Sequence, residues 1–362
     1  MSNPTTSSGG PGGLDAHGGW PGVLGTLAAG DDLTGDAAAA VLATILAGEA
    51  TDAQIAAFIV GLRIKGETVE ELAGLQRAML AAASPLSVPS ATIDIVGVGG
   101  APSRRTGALN VSTMAAFVAA GAGATVCKHG NRKASSTSGS FDVLEALGVR
   151  IELDKADLEQ CVREVGVGFA FARTFHPAMR FAGPVRAQLG IPTGFNVLGP
   201  LSHPGRLTRQ VVGVPDAEVG ARMAQVLAAT GSELALVVTG DGGLDELSTT
   251  GPNVLHQVVD GEISTISVKP GDVGIATAAP EDLHGGDAAA NADIARRVFD
   301  GESGAHRDIV VLNAAAGLVV AGVAPDLVDG CERAAAAIDS GAAAAKLHDL
   351  IELTAAQETD QS

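Results

Sequence analysis

The chain is short of cysteine, short of positive charge and free of long apolar runs, and each shortage removes a class of protein. Its three cysteines, Cys127, Cys161 and Cys331, lie far apart with no Cys-x-x-Cys spacing. That argues against a disulfide framework or a zinc site and fits reduced thiols in a cytosolic protein. Only 23 lysines and arginines stand against 41 aspartates and glutamates, a formal net charge of −18. A diffuse negative charge of this size repels nucleic acid and anionic membrane surfaces. No uninterrupted apolar stretch reaches the roughly 18 residues that a membrane span needs. The opening MSNPTTSSGGPGGLDAHGG lacks the charged-then-apolar order of a signal peptide. It is rich in Gly, Ser and Pro, so residues 1–18 are expected to form a disordered tail.

Hydrophobic residues make up 46% of the 362-residue chain, ample for a core, and the length suits a large domain with a smaller one beside it. Residues 19–86 read as helices only. Thr34 is positioned as an N-cap, and the pairs Thr51/Gln54 and Thr68/Glu71 have capping-box spacing. Such a small bundle has apolar surface to spare, which packing on the larger domain or on a second copy of the chain would bury.

After the Pro/Ser hinge SPLSVPSA the pattern changes. TIDIVGVGG, ATVCK, VRIEL, FAFA, QVVGV and LALVVTG read as strands, most of them separated by helical stretches. NVLHQVVDGEISTISV reads as a β-hairpin about Asp260-Gly261, and residues 286–355 return to helices. The expected class is α/β: a small N-terminal helical domain plus a larger domain, residues 87–355, with a mostly parallel sheet flanked by helices. Helices near 175–190 are assigned to pack with the helical domain.

In an open α/β sheet, ligands bind beyond the carboxyl ends of the strands, and four segments are expected to meet there. GVGGAPSRRTGALNVST (97–113) has Gly97, Gly99 and Gly100, where backbone approaches a ligand closely, and then Asn110, Ser112 and Thr113 at a helix start that favours anions. KHGNRKASSTSG (128–139) gathers Lys128, Arg132 and Lys133 after a buried-looking strand, followed by hydroxyls that include Ser135, Ser136, Ser138 and, just beyond, Ser140. Lysine and arginine neutralise phosphates and hydroxyls donate to them, so these two segments read as a polyphosphate cradle without Walker A spacing. GDGGLDELST puts Asp245 and Glu246 side by side on a Gly-rich loop, hard oxygen ligands suited to Mg2+, the companion of a diphosphate. FHPAMRFAGPVRAQLG carries Arg186, which can grip a carboxylate with two hydrogen bonds, while FNVLGPL reads as a structural Gly-Pro turn.

The segments NVST, KHGNR.ASS.SG, D.LEALGV, FHPAMR, FN.LGPL.HP, GDGGLDE and GGDA..NA, in this order, resemble the anthranilate phosphoribosyltransferase family. The resemblance spans about residues 20–350 and implies transfer of a phosphoribosyl group from phosphoribosyl diphosphate to anthranilate, releasing diphosphate. It also implies a homodimer joined through the helical domain; the net charge of −18 argues against a nucleic-acid or membrane partner. Carried over by position, Gly97, Gly100, Ala101, Asn110, Val111, Ser112, Thr113, the run Lys128, His129, Gly130, Asn131, Arg132, Lys133, Ala134, Ser135, Ser136, and Ser140 contact the donor. Ser112, Asp245 and Glu246 correspond to magnesium ligands. Gly97, Asn131 and Arg186 correspond to anthranilate contacts, and Lys128, Arg186 and Asn131 are the expected catalytic residues.

The sequence departs from the family in its glycine loop. Val98 replaces a Thr, Ala101 an Asp, Ala108 a ligand-contacting Thr, and Arg104 and Arg105 lengthen the loop; Met179 stands where many members have Tyr near the acceptor channel. These changes keep open a related phosphoribosyltransferase with a different aromatic acceptor.

Overall fold

The structure is a computed structural model that describes residues 13–99, 108–133 and 137–360. It divides into two compact units, one formed by residues up to Ala83 with His176–Leu198, the other by Ser84–Phe175 with the chain from Gly199 onward.

The first unit is helical. Its main helices are Gly19–Ala29, Gly35–Leu46, Asp52–Lys65 and Val69–Ala82, joined by the short Pro177–Phe181 and Gly183–Leu189. Thr34, Thr51 and Thr68 cap their helices, and the last two form the capping boxes that their spacing predicts. Gly74 lets the helix Val69–Ala82 press on the start of Gly35–Leu46, since a Cβ there would overlap the Gly35 backbone. The tail expected over 1–18 needs correction at its end: Leu14–His17 forms a 3-10 turn closed by Gly18. Residues 1–12 lie outside the described residues.

Fully buried Glu71 organises this unit. Its two carboxylate oxygens accept from Leu33 N (2.8 Å), Thr68 N (2.8 Å) and Lys65 Nζ (2.9 Å). A buried carboxylate is tolerable only when paired and hydrogen-bonded in this way.

The second unit is built on a twisted sheet. Its strands are β1 (Asp94–Gly97), β2 (Val126–Gly130), β3 (Val167–Phe171), β4 (Arg209–Gly213), β5 (Leu234–Thr239), β6 (Asn253–Val259) and β7 (Glu262–Val268). One sheet runs β1-β4-β5-β6-β7, and β2-β3 form a second, linked to the first by a parallel bridge between Ile93 and Val126. The pairs β1–β4, β4–β5 and β2–β3 are parallel, while β5–β6 and β6–β7 are antiparallel. The hairpin turns at Asp260-Gly261, both with positive φ (48° and 87°), as the sequence leads one to expect.

The helix Val111–Gly121 is buried along nearly its whole length, with Ala115, Ala116, Phe117, Val118 and Ala119 fully enclosed. A helix apolar on every side belongs at the centre of a large domain. Its alanines let the sheet and the helices Ala305–Val320 and Ala342–Asp360 come close.

Two local expectations are corrected. VRIEL is not a strand: Arg150 N donates to Thr354 Oγ1 (3.4 Å), and its guanidinium holds Thr354 O and Asp157, so the segment binds the C-terminal helix and not a sheet edge. FNVLGPL is the short helix Phe195–Leu201, started by Asn196, whose N–H donates to Thr193 O while its side chain accepts from Thr193 N. The segment opened by His176-Pro177 is two short helices split at Ala182.

Replacing Glu71 with Ala leaves Lys65 charged in a largely buried place. The variant is expected to lose about 3 kcal/mol of stability, read in a denaturant melt, since breaking a buried ion pair is costly.

Candidate active site

The strand order β3-β2-β1-β4-β5 reverses direction at β1, so β1 and β4 flank the point where an open α/β sheet binds ligands. Both strands end in glycine, and Gly97 and Gly213 are register partners. A Cβ on Gly97 would lie 2.5 Å from Asp245 Oδ2, and one on Gly213 would overlap the Asp245 carbonyl. The Asp245-Glu246 segment therefore crosses the end of these strands over two missing side chains. Asp245 Oδ2 accepts from Gly99 N (2.7 Å), and Glu246 Oε1 accepts from Ser112 N (3.0 Å). Both carboxylates are buried. Behind them, Leu247 N donates to Asn313 Oδ1 (2.9 Å) and Asn313 Nδ2 donates back to Leu247 O (2.8 Å).

The helix start at Asn110–Thr113 is held mainly by the protein itself. The Ser112 N–H, expected to face an anion, is taken by Glu246, so the positive end of this helix holds a carboxylate of the same chain. Asn291 Nδ2 donates to Ala108 O (2.7 Å) and Asn110 Oδ1 (2.8 Å), while Gly286 N donates to Asn291 Oδ1 (2.8 Å). The GGDA..NA motif thus clamps the loop that leads into the site, a role its residue types alone do not reveal.

Within β2 the chain carries Lys128 and His129 buried, 3% and 4% exposed. Lys128 Nζ donates to His129 O (3.3 Å). The following turn is closed by Asp142, which accepts from Lys133 N (2.9 Å) and Gly139 N (3.0 Å), and by Ser140 Oγ donating to Asn131 O (3.2 Å). Gly130 makes room for the Ser140 hydroxyl. The sequence suggests no acidic partner for this basic stretch, and that is corrected: Arg132 donates to Glu145 (2.9 and 3.2 Å) and to Asp142 (3.3 Å). The Glu145 carboxylate holds the guanidinium above its ordinary range. Sequence inspection misses these partners because they lie on the next helix, Ser140–Leu147.

Two residues that sequence reasoning left out support Lys128 and His129. Asp94, fully buried on β1, accepts the His129 N–H at Oδ1 (3.0 Å). Burial pushes its carboxyl up to about 7, against the pull of the Lys128 charge and the His129 and Ile95 amides. His203 accepts the Gly205 N–H at Nδ1 (3.0 Å), so its Nε2 carries the proton and donates to Cys127 O (2.8 Å). Its ring stands edge-on to His129 at 5.8 Å.

The second unit therefore carries Gly97, Val111, Ser112, Thr113, Lys128, His129, Gly130, Asp245 and Glu246 on its strands, central helix and crossing segment, with Asn110, Asn131, Arg132 and Lys133 on the adjoining loops and Ser140 at the start of the next helix. Gly100, Ala101, Arg104, Arg105, Ala134, Ser135 and Ser136 lie outside the described residues. Arg186 belongs to the first unit, half-buried, with Nη2 3.5 Å from Asn196 Oδ1 and its guanidinium 5.7 Å from the Phe195 ring centroid. Burial lowers its pKa. Among the described residues no group of three or more His, Cys, Asp or Glu could hold a metal ion by itself. A cation on Asp245, Glu246 and the Ser112 hydroxyl would draw its remaining ligands from water and phosphate oxygens, which suits Mg2+.

A model of the glycosyl transferase family a/b domain matches residues 90–344, and one of that family's helical bundle domain matches 21–83. The anthranilate phosphoribosyltransferase of Nocardioides sp. is 53% identical, the match covering 93% of this chain and 99% of that one. The chain belongs to the anthranilate phosphoribosyltransferase family. The crystal structure of that enzyme from Thermus thermophilus has 40% identity and a TM-score of 0.85, covering 92% of this chain and 99% of its own. The anthranilate phosphoribosyltransferase of Saccharomyces cerevisiae, in complex with PRPP and Mg, has 26% identity and a TM-score of 0.83, covering 93% and 98%.

Two outcomes test the geometry. Gly213→Ala forces Asp245 away from the β1 and β4 ends and should cut catalytic efficiency about 10²-fold, read by steady-state kinetics. Asp94, whose folded pKa is raised, binds its proton in the native state across a range where the unfolded chain has released it. The native protein should therefore lose stability relative to Asp94→Asn as pH rises from about 4 to 7, by up to roughly 4 kcal/mol, and hold a constant difference above that. Thermal melts of both proteins across pH read this directly.

Proposed function

We propose that this chain transfers the 5-phosphoribosyl group of phosphoribosyl diphosphate to the amine of anthranilate, releasing diphosphate, as a step of tryptophan biosynthesis. The observation that carries this reading is the pair of buried adjacent carboxylates over the glycine ends of β1 and β4 at the sheet's switch point, with a buried lysine on the neighbouring β2. Polyphosphate chemistry needs cationic, amide and hard-oxygen groups together in that way. The names of the relatives supply the acceptor.

Breaking the bond to diphosphate builds negative charge on the leaving group and positive charge at the anomeric carbon of the sugar. Lys128 meets the leaving charge from a desolvated position, where a fixed cation acts more strongly than in water. Asp245, Glu246 and the Ser112 hydroxyl would hold Mg2+, which, when bound, neutralises the diphosphate further. Gly97, Gly100, Ala101, Val111, Thr113 and the run Lys128–Ser136, with Ser140, form the donor cradle. Within that run, Arg132 acts chiefly as a brace through Glu145.

The acceptor nitrogen is an aromatic amine, neutral at pH 7, and needs placement more than a strong base. Arg186 would bind the anthranilate carboxylate with its planar fork, and Asn131 would lie near the ring beside Gly97. The protein works as a cytoplasmic homodimer on this reading. Ile64, 81% exposed, and Ile191 are the large apolar side chains that the described part of the helical unit leaves exposed to such a contact. No described helix is long and apolar enough to cross a membrane.

Anthranilate fluorescence, followed with purified protein, phosphoribosyl diphosphate and Mg2+, should fall and be protected by EDTA; a steady signal in the presence of Mg2+ overturns the assignment. Lys128→Ala should lower kcat/KM for the donor roughly 10²-fold or more. Arg186→Ala should raise the KM for anthranilate about tenfold or more while sparing donor affinity, since a bidentate charged contact is lost on the acceptor alone.

A further inference from the structure

The β1–β2 pairing begins as a parallel ladder. Ile93 N donates to Thr125 O and Cys127 N donates to Ile93 O, both at 2.9 Å. Continued by one more step, the ladder would use the Cys127 carbonyl and the His129 amide against Ile95. Neither does so. The Cys127 carbonyl accepts from His203 Nε2, and the His129 amide donates to Asp94 Oδ1. Strand pairing between β1 and β2 accordingly stops at the single Ile93–Val126 bridge, while β2 continues its pairing with β3 through Gly130. Two side chains have replaced two main-chain partners on either side of Lys128, on the β2 edge that faces β1.

The replacement is costly unless it serves a purpose. Asp94 is a fully enclosed carboxylate, and a neutral backbone carbonyl would satisfy the same amide without burying a charge. What a carboxylate adds is a negative charge beside Lys128, itself nearly fully enclosed. A side-chain acceptor also frees the end of β2 from the spacing that a continued ladder would impose. His203 completes the arrangement from the other side, with both ring nitrogens engaged and its ring against His129.

We propose that Asp94 and His203 are positioning residues that end the β1–β2 ladder with their side chains and so set where Lys128 and His129 stand for the diphosphate donor. The proposal rests on the donor-site reading above. It assigns neither residue a contact with substrate. It requires that their loss fall first on donor binding: Arg186, which grips the acceptor carboxylate, lies on a different unit, and Gly97 and Asn131, the other acceptor contacts, are not held by Asp94 or His203.

The test compares Asp94→Asn, Asp94→Ala and His203→Ala with the native protein at pH 8. Asparagine keeps an acceptor for the His129 amide and removes the charge, alanine removes both, and the histidine variant releases the Cys127 carbonyl. Magnesium diphosphate serves as a binding probe in calorimetric titration, alongside the KM for each substrate and a thermal melt. Asp94→Ala and His203→Ala should weaken probe binding and raise the donor KM about tenfold or more, with Asp94→Asn between them and the native protein. The anthranilate KM should stay within about twofold, and every melt should remain cooperative. Equal changes in both KM values, or native probe binding in all three variants, would overturn the proposal. Should Asp94→Ala not fold, the asparagine and histidine variants decide the matter by the same readings. If the native protein binds magnesium diphosphate but leaves anthranilate unconverted, the acceptor assignment falls while the ranking of the variants in titration still tests Asp94 and His203.

Discussion

The site depends on Asp245 lying across the paired ends of β1 and β4. That placement is possible only because Gly97 and Gly213 face each other in register with no side chains between them and the crossing segment. Once there, Asp245 takes the Gly99 amide and Glu246 takes the Ser112 amide, so one short loop ties the glycine turn, the central helix and the end of β5 together. Asn313, reaching from the helix Ala305–Val320, fixes the same loop from behind. The carboxylates are thus set by backbone geometry before any ligand arrives, which is what a site for developing charge requires.

The positive side of the site is organised by the same economy of space. Lys128 and His129 are enclosed, and their supports come from strands and loops remote in sequence: Asp94 on β1, and His203 just after the helix Phe195–Leu201. Asp142 and Glu145 hold the turn that follows, using Arg132 as a brace. Within an acidic protein, the cluster of cations is therefore partly neutralised by its own frame, and the enclosed lysine remains the cation set deepest. Burial strengthens the field of that lysine, and the Asp94 carboxyl lies near enough to feel it.

Much of this was legible beforehand. The capping boxes at Thr51 and Thr68 follow from spacing, and the Asp260-Gly261 turn from residue type, because local backbone chemistry decides both. Lys128 stood out because it ends a buried-looking strand, and Asp245 and Glu246 because the pair sits on a glycine loop within the family's motif order. VRIEL misled because an alternating apolar pattern marks a half-buried extended segment whether or not a strand lies beside it; here the partner is the C-terminal helix through Thr354. FNVLGPL misled because Gly and Pro outweighed the Thr193–Asn196 exchange that starts the helix.

The sequence by itself determined the helical start followed by an α/β region, most of the alternation of strand and helix, and the family, since these rest on periodicity, local capping and motif order. Only the tertiary structure decided that Glu246 occupies the helix start, that Arg132 is spent on Glu145, that Asn291 clamps Asn110, and that Asp94 and His203 end a strand ladder. Many of these contacts join residues far apart along the chain. A side chain's role in them depends on which strand becomes its neighbour, and that is fixed by packing, not by the residues on either side of it.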